Sequence, residues 1–148
     1  MSPQAEVVER KLLALTGYLA ELRPKARLGL AAYRRNATVR RAVERLLQLS
    51  IESAADACAA LLGQLGRPPA PTMRGEFEAA GEAGAVEPEL ARRLAAAAGL
   101  RNRLVHDYER LDDAAVLAAA REVLRDLPEF IVQVTAFLEG QTSEPDGD

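Results

Sequence analysis

The chain has 148 residues, of which 49% are hydrophobic and 28% are charged, and its formal net charge is −3. This length is typical of one compact domain, and no uninterrupted apolar stretch approaches the roughly 20 residues that cross a bilayer. One cysteine and one histidine exclude a disulfide framework and a zinc site of soft ligands. Because the N-terminus lacks a charged-then-apolar signal pattern, we expect a soluble cytoplasmic protein with no membrane partner.

Helical periodicity dominates the first half of the chain. Ser2 is a suitable N-cap with a proline behind it, and apolar residues then recur at intervals of three and four until Pro24 interrupts the pattern. A short second helix follows. Thr38 is the predicted N-cap of a long third helix, which is expected to stop at Gly66.

In the second half of the chain, helix-breaking residues separate further predicted helices. Residues 67–72 contain three prolines and are predicted to form an extended loop. A short helix is predicted over 73–80, and Pro88 opens a longer helix. Asp112 is the predicted N-cap of the last helix, in which Pro128 is expected to produce a bend.

These elements predict an all-α fold, a four-to-five-helix up-and-down bundle in which residues 1–139 form a single domain. Residues 140–148 are acidic and are predicted to be a disordered tail. Cys58 lies within an apolar periodic segment and is predicted to be a small core residue. A helical bundle by itself assigns no function.

Charge is unevenly distributed along the sequence. Residues 1–50 carry ten Lys or Arg against four Glu, whereas residues 51–148 carry nine basic against eighteen acidic residues. Within residues 23–45, Glu44 is the only acidic residue. Such a basic segment attracts phosphate groups, and it is equally the pattern of a solvated helix face, so both interpretations remain open.

Residues 101–108 read RNRLVHDY and contain the only histidine of the chain. Asn102 and His106 share a helix face, so the amide is placed to orient the imidazole or a bound phosphate. Arg101 lies about 140° round the helix from His106, and the two converge only if Arg101 reaches across its own helix or meets a second copy. Imidazole exchanges protons near neutral pH and guanidinium binds phosphate, although a lone histidine at a helix end also serves simply to stabilise the helix dipole.

The pattern Arg-x4-His-x-Tyr in residues 101–108 resembles the signature of the HEPN superfamily, and specifically of the HepT-like toxin ribonucleases. The resemblance extends over residues 43–138. In chain order, its further elements are Ile51, Glu52, Asp56, the prolines at 68, 69 and 71, Glu76, Phe77, the motif itself and the helix from Asp112.

The resemblance implies the toxin of a type VII toxin-antitoxin system, a homodimeric and metal-independent RNA endonuclease without a cofactor. Arg101 and His106 would be catalytic, Asn102 would bind the substrate, and the two motif copies would form a composite site at the dimer interface. The RNA's own 2′-hydroxyl would attack, leaving a 2′,3′-cyclic phosphate and a 5′-hydroxyl. Since each chain has one histidine and the reaction needs a proton acceptor and a proton donor, pairing would supply both.

The resemblance also implies regulation by a partner. Relatives of this kind are commonly encoded beside an MntA-like nucleotidyltransferase antitoxin that transfers AMP to the motif tyrosine, and Tyr108 occupies that position. AMP groups beside His106 would add bulk and negative charge and so repel RNA.

Two other interpretations stay open from the sequence. The chain could be a non-catalytic helical dimer module that binds a nucleotidyltransferase, or a plain helical adaptor with no role on RNA. Asp56 is a candidate acidic helper, Glu52 is given less weight, and Arg103 has no assigned role.

Overall fold

A computed structural model of the protein describes residues 2–107 and 111–143, and these residues form helices and connecting loops without a strand. The predicted all-α fold is therefore confirmed, with four long helices and two short ones. The helices are α1 Pro3–Lys25, α2 Leu30–Arg35, α3 Ala37–Gln64, α4 Met73–Glu82, α5 Pro88–His106 and α6 Asp113–Ser143.

The helix ends show which side chains stop each element. The Ser2 side chain accepts a hydrogen bond from the backbone N–H of Ala5, as predicted for an N-cap. The predicted cap of α3 is wrong, because Asn36 and not Thr38 caps it, accepting from Val39 N at 3.1 Å. Asn36 also ends α2, so this single residue separates two helices.

The ends of α3, α4 and α6 agree with the sequence prediction to different degrees. Gly66 has φ 74° just after α3, the left-handed conformation that glycine adopts most readily, as expected for its predicted role as a stop. In contrast, α4 continues through Gly81, and Gly84 with φ 82° follows its end. Helix α6 contains Pro128 and continues to Ser143, beyond the predicted start of the tail at Gly140, while 144–148 lie outside the described residues.

Helices α1 and α3 are antiparallel and form the largest contact in the bundle. The Ser53 hydroxyl donates to the carbonyl of Lys11 at 2.8 Å, and the Lys11 ammonium lies 3.1 Å from the Asp56 carboxylate. Their apolar faces meet in the core, where Phe77 and Phe130 pack edge to face with ring centroids 6.4 Å apart. Cys58 is fully buried there, as predicted.

Helix α6 runs antiparallel to α5 and crosses the end of α1. Gln133 accepts from Glu87 N at 2.8 Å, and further along the pair Arg93 Nε donates to Asp126 at 3.2 Å. Arg121 donates to the carbonyl oxygens of Ala26 and Leu28, and so supplies hydrogen bonds to the turn that follows α1.

Four elements meet at one end of the bundle: the first turns of α6 and α3, the short helix α2, and the last turn of α1. Asp113 lies close enough to Tyr33 and Glu44 to act on both: burial, together with the charges of Glu44 and Asp113, raises the pKa of Tyr33 to about 12. Because α5 is antiparallel to α6, its last residue His106 is at this same end. We call this the motif end of the bundle.

Helix α3 is, among the described residues, the one helix long and apolar enough to cross a membrane. In its most apolar stretch, 61% of the residues are buried inside the protein. Packing at the centre of the bundle therefore accounts for its apolar composition.

Candidate functional site

Arg101 is held by a carboxylate from a neighbouring helix. Its Nε and Nη2 atoms lie 2.8 and 2.7 Å from Oε1 of Glu52 on α3, and each of the two side chains is 25% exposed. Gln48, one turn before Glu52, donates to the same oxygen at 3.1 Å. Charge-assisted contacts of this length, shielded in part from water, fix the direction of the guanidinium.

Glu52 occupies only one side of the Arg101 guanidinium. A guanidinium presents two edges for paired hydrogen bonds, and Glu52 takes the edge formed by Nε and Nη2. The other edge consists of Nη1 and the second N–H of Nη2. On that edge Nη1 donates to Asn102 Oδ1 at 3.3 Å, a long contact at an exposed position. This edge has the geometry to receive two phosphate oxygens.

His106 is the last residue of α5 and is exposed. Within residues 2–107 and 111–143, no side chain hydrogen-bonds to its imidazole. Five residues separate it from Arg101, which corresponds to about 7.5 Å along the helix axis. Arg101 and Asn102 thus meet within one chain, whereas Arg101 turns towards α3 and makes no hydrogen bond to His106.

Glu52, and not Asp56, is the acid that contacts Arg101. Asp56 lies one turn further along α3 and pairs with Lys11 of α1, away from Arg101. The sequence does not separate the two acids, because Glu52 and Asp56 each lie between two residues that the fold buries. A partly buried carboxylate requires a cation or hydrogen-bond donors, and in the structure Arg101 and Gln48 supply them to Glu52.

Other candidate residues lie outside this cluster. Tyr108 falls outside the described residues. Arg103 lines a cavity of about 560 Å³ between α5 and α6, whose walls include Leu100 and Ala119. Burial, and to a lesser extent the charge of Glu76, raises the pKa of the Cys58 thiol, so it is a poor nucleophile. Within the described part of the chain, no group of three or more His, Cys, Asp or Glu is arranged to hold a metal ion.

Solved structures share this fold. The tri-AMPylated HEPN toxin of Shewanella oneidensis, in complex with its MNT antitoxin, superposes with a TM-score of 0.80 over 92% of this chain and 99% of its own, at 20% identity. YutE of Bacillus subtilis, a cytosolic protein of unknown function, gives 0.79 over 95% and 93% at 16% identity. The fold is therefore that of the HEPN toxins.

Sequence comparison defines the family more closely. Residues 15–134 match the family described as Ribonuclease HepT-like. A tRNA nuclease HepT from Aphanizomenon flos-aquae (strain 2012/KM1/D3) is 31% identical over 132 residues, which span 89% of this chain and 90% of the relative. The chain belongs to the HepT-like ribonuclease family, and the resemblance inferred from residues 101–108 is confirmed.

Proposed function

We propose that this protein is the toxin of a toxin-antitoxin pair and acts as a metal-independent RNA endonuclease. The observation that carries the proposal is the guanidinium of Arg101, held by Glu52 with its second edge directed away from that carboxylate, five residues before an exposed His106. Family membership and a relative named as a tRNA nuclease support RNA as the substrate.

The chemistry follows from the residue types. The 2′-oxygen attacks the adjacent phosphorus and the bond from phosphorus to the 5′-oxygen breaks, which gives a 2′,3′-cyclic phosphate and a 5′-hydroxyl. One imidazole accepts the proton of the 2′-hydroxyl and another donates a proton to the departing 5′-oxygen. The second edge of Arg101, released from Asn102, stabilises the negative charge that grows on the phosphate oxygens, and Asn102 hydrogen-bonds to the same group.

This scheme requires two copies of the chain. Each copy contains one histidine, and the reaction at one phosphate needs both a proton acceptor and a proton donor. A two-fold axis near the exposed His106 would bring the two imidazoles together and add a second Arg101. We therefore propose a homodimer with a composite site, formed by residues 1–139 of each copy in the cytoplasm.

Expression of the wild type beside His106→Ala tests the activity. We expect wild-type expression to arrest growth and to leave RNA fragments with cyclic phosphate ends, and we expect cleavage by the purified protein to continue in the presence of EDTA. His106→Ala should lose activity by a factor of about 10² or more. Equal toxicity and cleavage from the two would contradict the proposal, and a wild type without either would favour the non-catalytic module.

Regulation by AMP transfer is a second part of the proposal. The S. oneidensis HEPN toxin is tri-AMPylated and bound to an MNT antitoxin, which supports an MntA-like nucleotidyltransferase as partner here. Tyr108, the tyrosine of the motif, is the proposed acceptor. Incubation with that partner and ATP should add AMP to the wild type and inactivate it. Tyr108→Phe should stay unmodified and active, and modification of this variant to the wild-type extent would contradict the assignment.

A further inference from the structure

One face of α3 carries a row of polar side chains that leads away from the Arg101 site. Arg41, Arg45, Gln48 and Glu52 lie within about 60° of one another around the helix at ~100° per residue. Glu52 and Gln48 form the contact with Arg101 described above. The row thus continues from that contact towards the start of α3 with two arginines.

The position of this row along the bundle follows from two contacts. Arg101 on α5 lies opposite Glu52. Asp113, which begins α6 shortly after α5 ends, lies near Glu44 at the start of α3. The chain therefore runs along α5 towards the start of α3, and the two helices are antiparallel. Along α3, Arg45 is about 10 Å and Arg41 about 16 Å from Glu52, in the direction in which His106 lies about 7.5 Å beyond Arg101. The two arginines therefore extend the site past the level of His106, at the motif end.

Both arginines are exposed and lack an ion-pair partner in the described parts of the chain. Glu44 and Asp113 lie at the same end of the bundle, but neither forms an ion pair with Arg41 or Arg45. Arg41 and Arg45 are four residues apart, and two like charges at this spacing destabilise a helix. A bound anion would remove that repulsion.

Two other helices pair some of their surface arginines with acids of the same helix. Arg74 pairs with Glu78 on α4, and Arg92 pairs with Glu89 on α5, each within one helical turn. Among the residues that the structure describes, no such pair forms at Arg41 or Arg45, so the part of the row beyond Gln48 carries positive charge alone.

We propose that Arg41 and Arg45 bind backbone phosphates of the RNA substrate and guide the strand to Arg101 and His106. The inference rests on the proposed ribonuclease function and adds a binding track to it. Guanidinium groups pair with phosphate oxygens through two parallel hydrogen bonds, and such contacts position a nucleic acid without reading its sequence.

The test uses the full-length protein carrying Arg41→Gln and Arg45→Gln, with fluorescein-labelled bulk tRNA as the probe. We expect the KM for tRNA cleavage to rise about tenfold while kcat stays within about twofold, because the track binds and does not react. Binding is measured separately in a His106→Ala background, where the RNA stays intact. Since each lost phosphate contact removes about 0.7 to 0.9 from the slope of log affinity against log salt, the double variant should lose about 1.4 to 1.8.

A matched control removes the same charge elsewhere. Arg10 and Arg67 are exposed and have no ion-pair partner among the described residues, and neither lies on the row. Arg10→Gln with Arg67→Gln should leave KM and the salt slope near the wild-type values, and Arg41→Lys with Arg45→Lys should restore part of the affinity. Thermal unfolding of every variant checks that the bundle is intact.

Three results would overturn the track. Equal weakening by the two double variants would indicate a general effect of charge. Unchanged tRNA binding with lost binding to the nucleotidyltransferase would indicate a protein-docking surface. Wild-type protein that does not bind tRNA would overturn the track and the ribonuclease together, whereas binding that depends on Arg41 and Arg45 without any cleavage would retain the track and refute only the proposed reaction.

Discussion

Glu52 and Arg101 join α3 to α5 through one carboxylate oxygen, which receives Nε at 2.8 Å and Nη2 at 2.7 Å. The contact connects residues 49 positions apart in the chain, so the direction of the guanidinium depends on the packing of two helices. An arginine directed by its own helix alone would sample many rotamers. The Arg101 side chain is thus placed by the fold.

Glu52→Gln tests this dependence. The amide keeps the shape and one acceptor but loses the charge, and a hydrogen bond to a charged group contributes about 1.5–3 kcal/mol. We expect kcat for tRNA cleavage to fall roughly tenfold to a hundredfold with little change in KM, and Glu52→Asp to restore part of the loss. Steady-state kinetics on the purified protein measures both parameters.

Asp56→Asn is the matched control for Glu52→Gln. It removes the same charge one turn further along α3, where the partner is Lys11, so kcat should stay close to the wild-type value. Equal losses in the two variants would show that Glu52 has no specific role. Faster cleavage by Glu52→Gln would show that the carboxylate restrains Arg101 instead of orienting it.

Arg101→Lys separates charge from geometry at the same site. Lysine keeps the positive charge but is a point charge that cannot bind Glu52 with one edge and a phosphate with the other. We expect a loss of about 10² or more in kcat, comparable to the removal of a positioned donor from an anion-binding site, with an unchanged melting temperature. Near wild-type cleavage by this variant would mean that charge alone suffices.

The helical architecture was predictable because each helix carries its own signals. The cap at Ser2, the proline that opens α5 and the cap at Asp112 are local chemistry, and Asp112 indeed accepts from Ala114 N at 2.9 Å. The failure at Thr38 has a local cause as well. Asn36 competes as a cap two residues earlier, and the short side chain of asparagine bonds well to the third backbone N–H beyond it.

The site was only partly predictable, since its main contact is not local. Arg101, Asn102 and His106 follow from spacing on one helix, but the partner of Arg101 comes from α3 and could have been Glu52 or Asp56. Periodicity places these two acids about 40° apart on α3, which is too little to decide between them. The packing of α1 decides, because it brings Lys11 to Asp56 and leaves Glu52 to α5.

Gly81 is a second position whose contact, made between two helices, the sequence alone did not predict. A pair of alanine substitutions tests this contact. A Cβ at Gly81 would lie 2.7 Å from the Cβ of Ala91, so α4 and α5 approach each other there only because the side chain is absent. We expect Gly81→Ala to lower the free energy of unfolding by about 1–3 kcal/mol.

Gly17→Ala is the control for Gly81→Ala. A Cβ at Gly17, on α1, would meet no atom within 4 Å. The substitution should therefore raise the free energy of unfolding by about 0.5–1 kcal/mol, because alanine favours a helix more than glycine does. Urea denaturation measures both variants, and equal effects would contradict the close approach of α4 and α5.

Glu44 gives the protein a pH-dependent stability at the motif end. Burial, and next the negative charge of Asp113, raise the pKa of Glu44, while Arg40 and Arg41 lower it in part. The folded state therefore holds the Glu44 proton more tightly than the unfolded chain does. The stability that this carboxyl contributes is complete below the unfolded pKa of about 4.3 and is lost as the pH rises through the folded pKa.

Glu44→Gln removes this titration. We expect the variant to melt at a higher temperature than the wild type at neutral pH, and the difference to shrink as the pH falls below the ordinary glutamate pKa, where the wild-type carboxyl is already neutral. Glu82→Gln, at an exposed position near the end of α4, controls for the loss of one negative charge. A Glu44→Gln protein that is less stable than the wild type at neutral pH would show that attraction to Arg40 and Arg41 outweighs burial. Arg41 would then be held by this carboxylate and would not be free for phosphate.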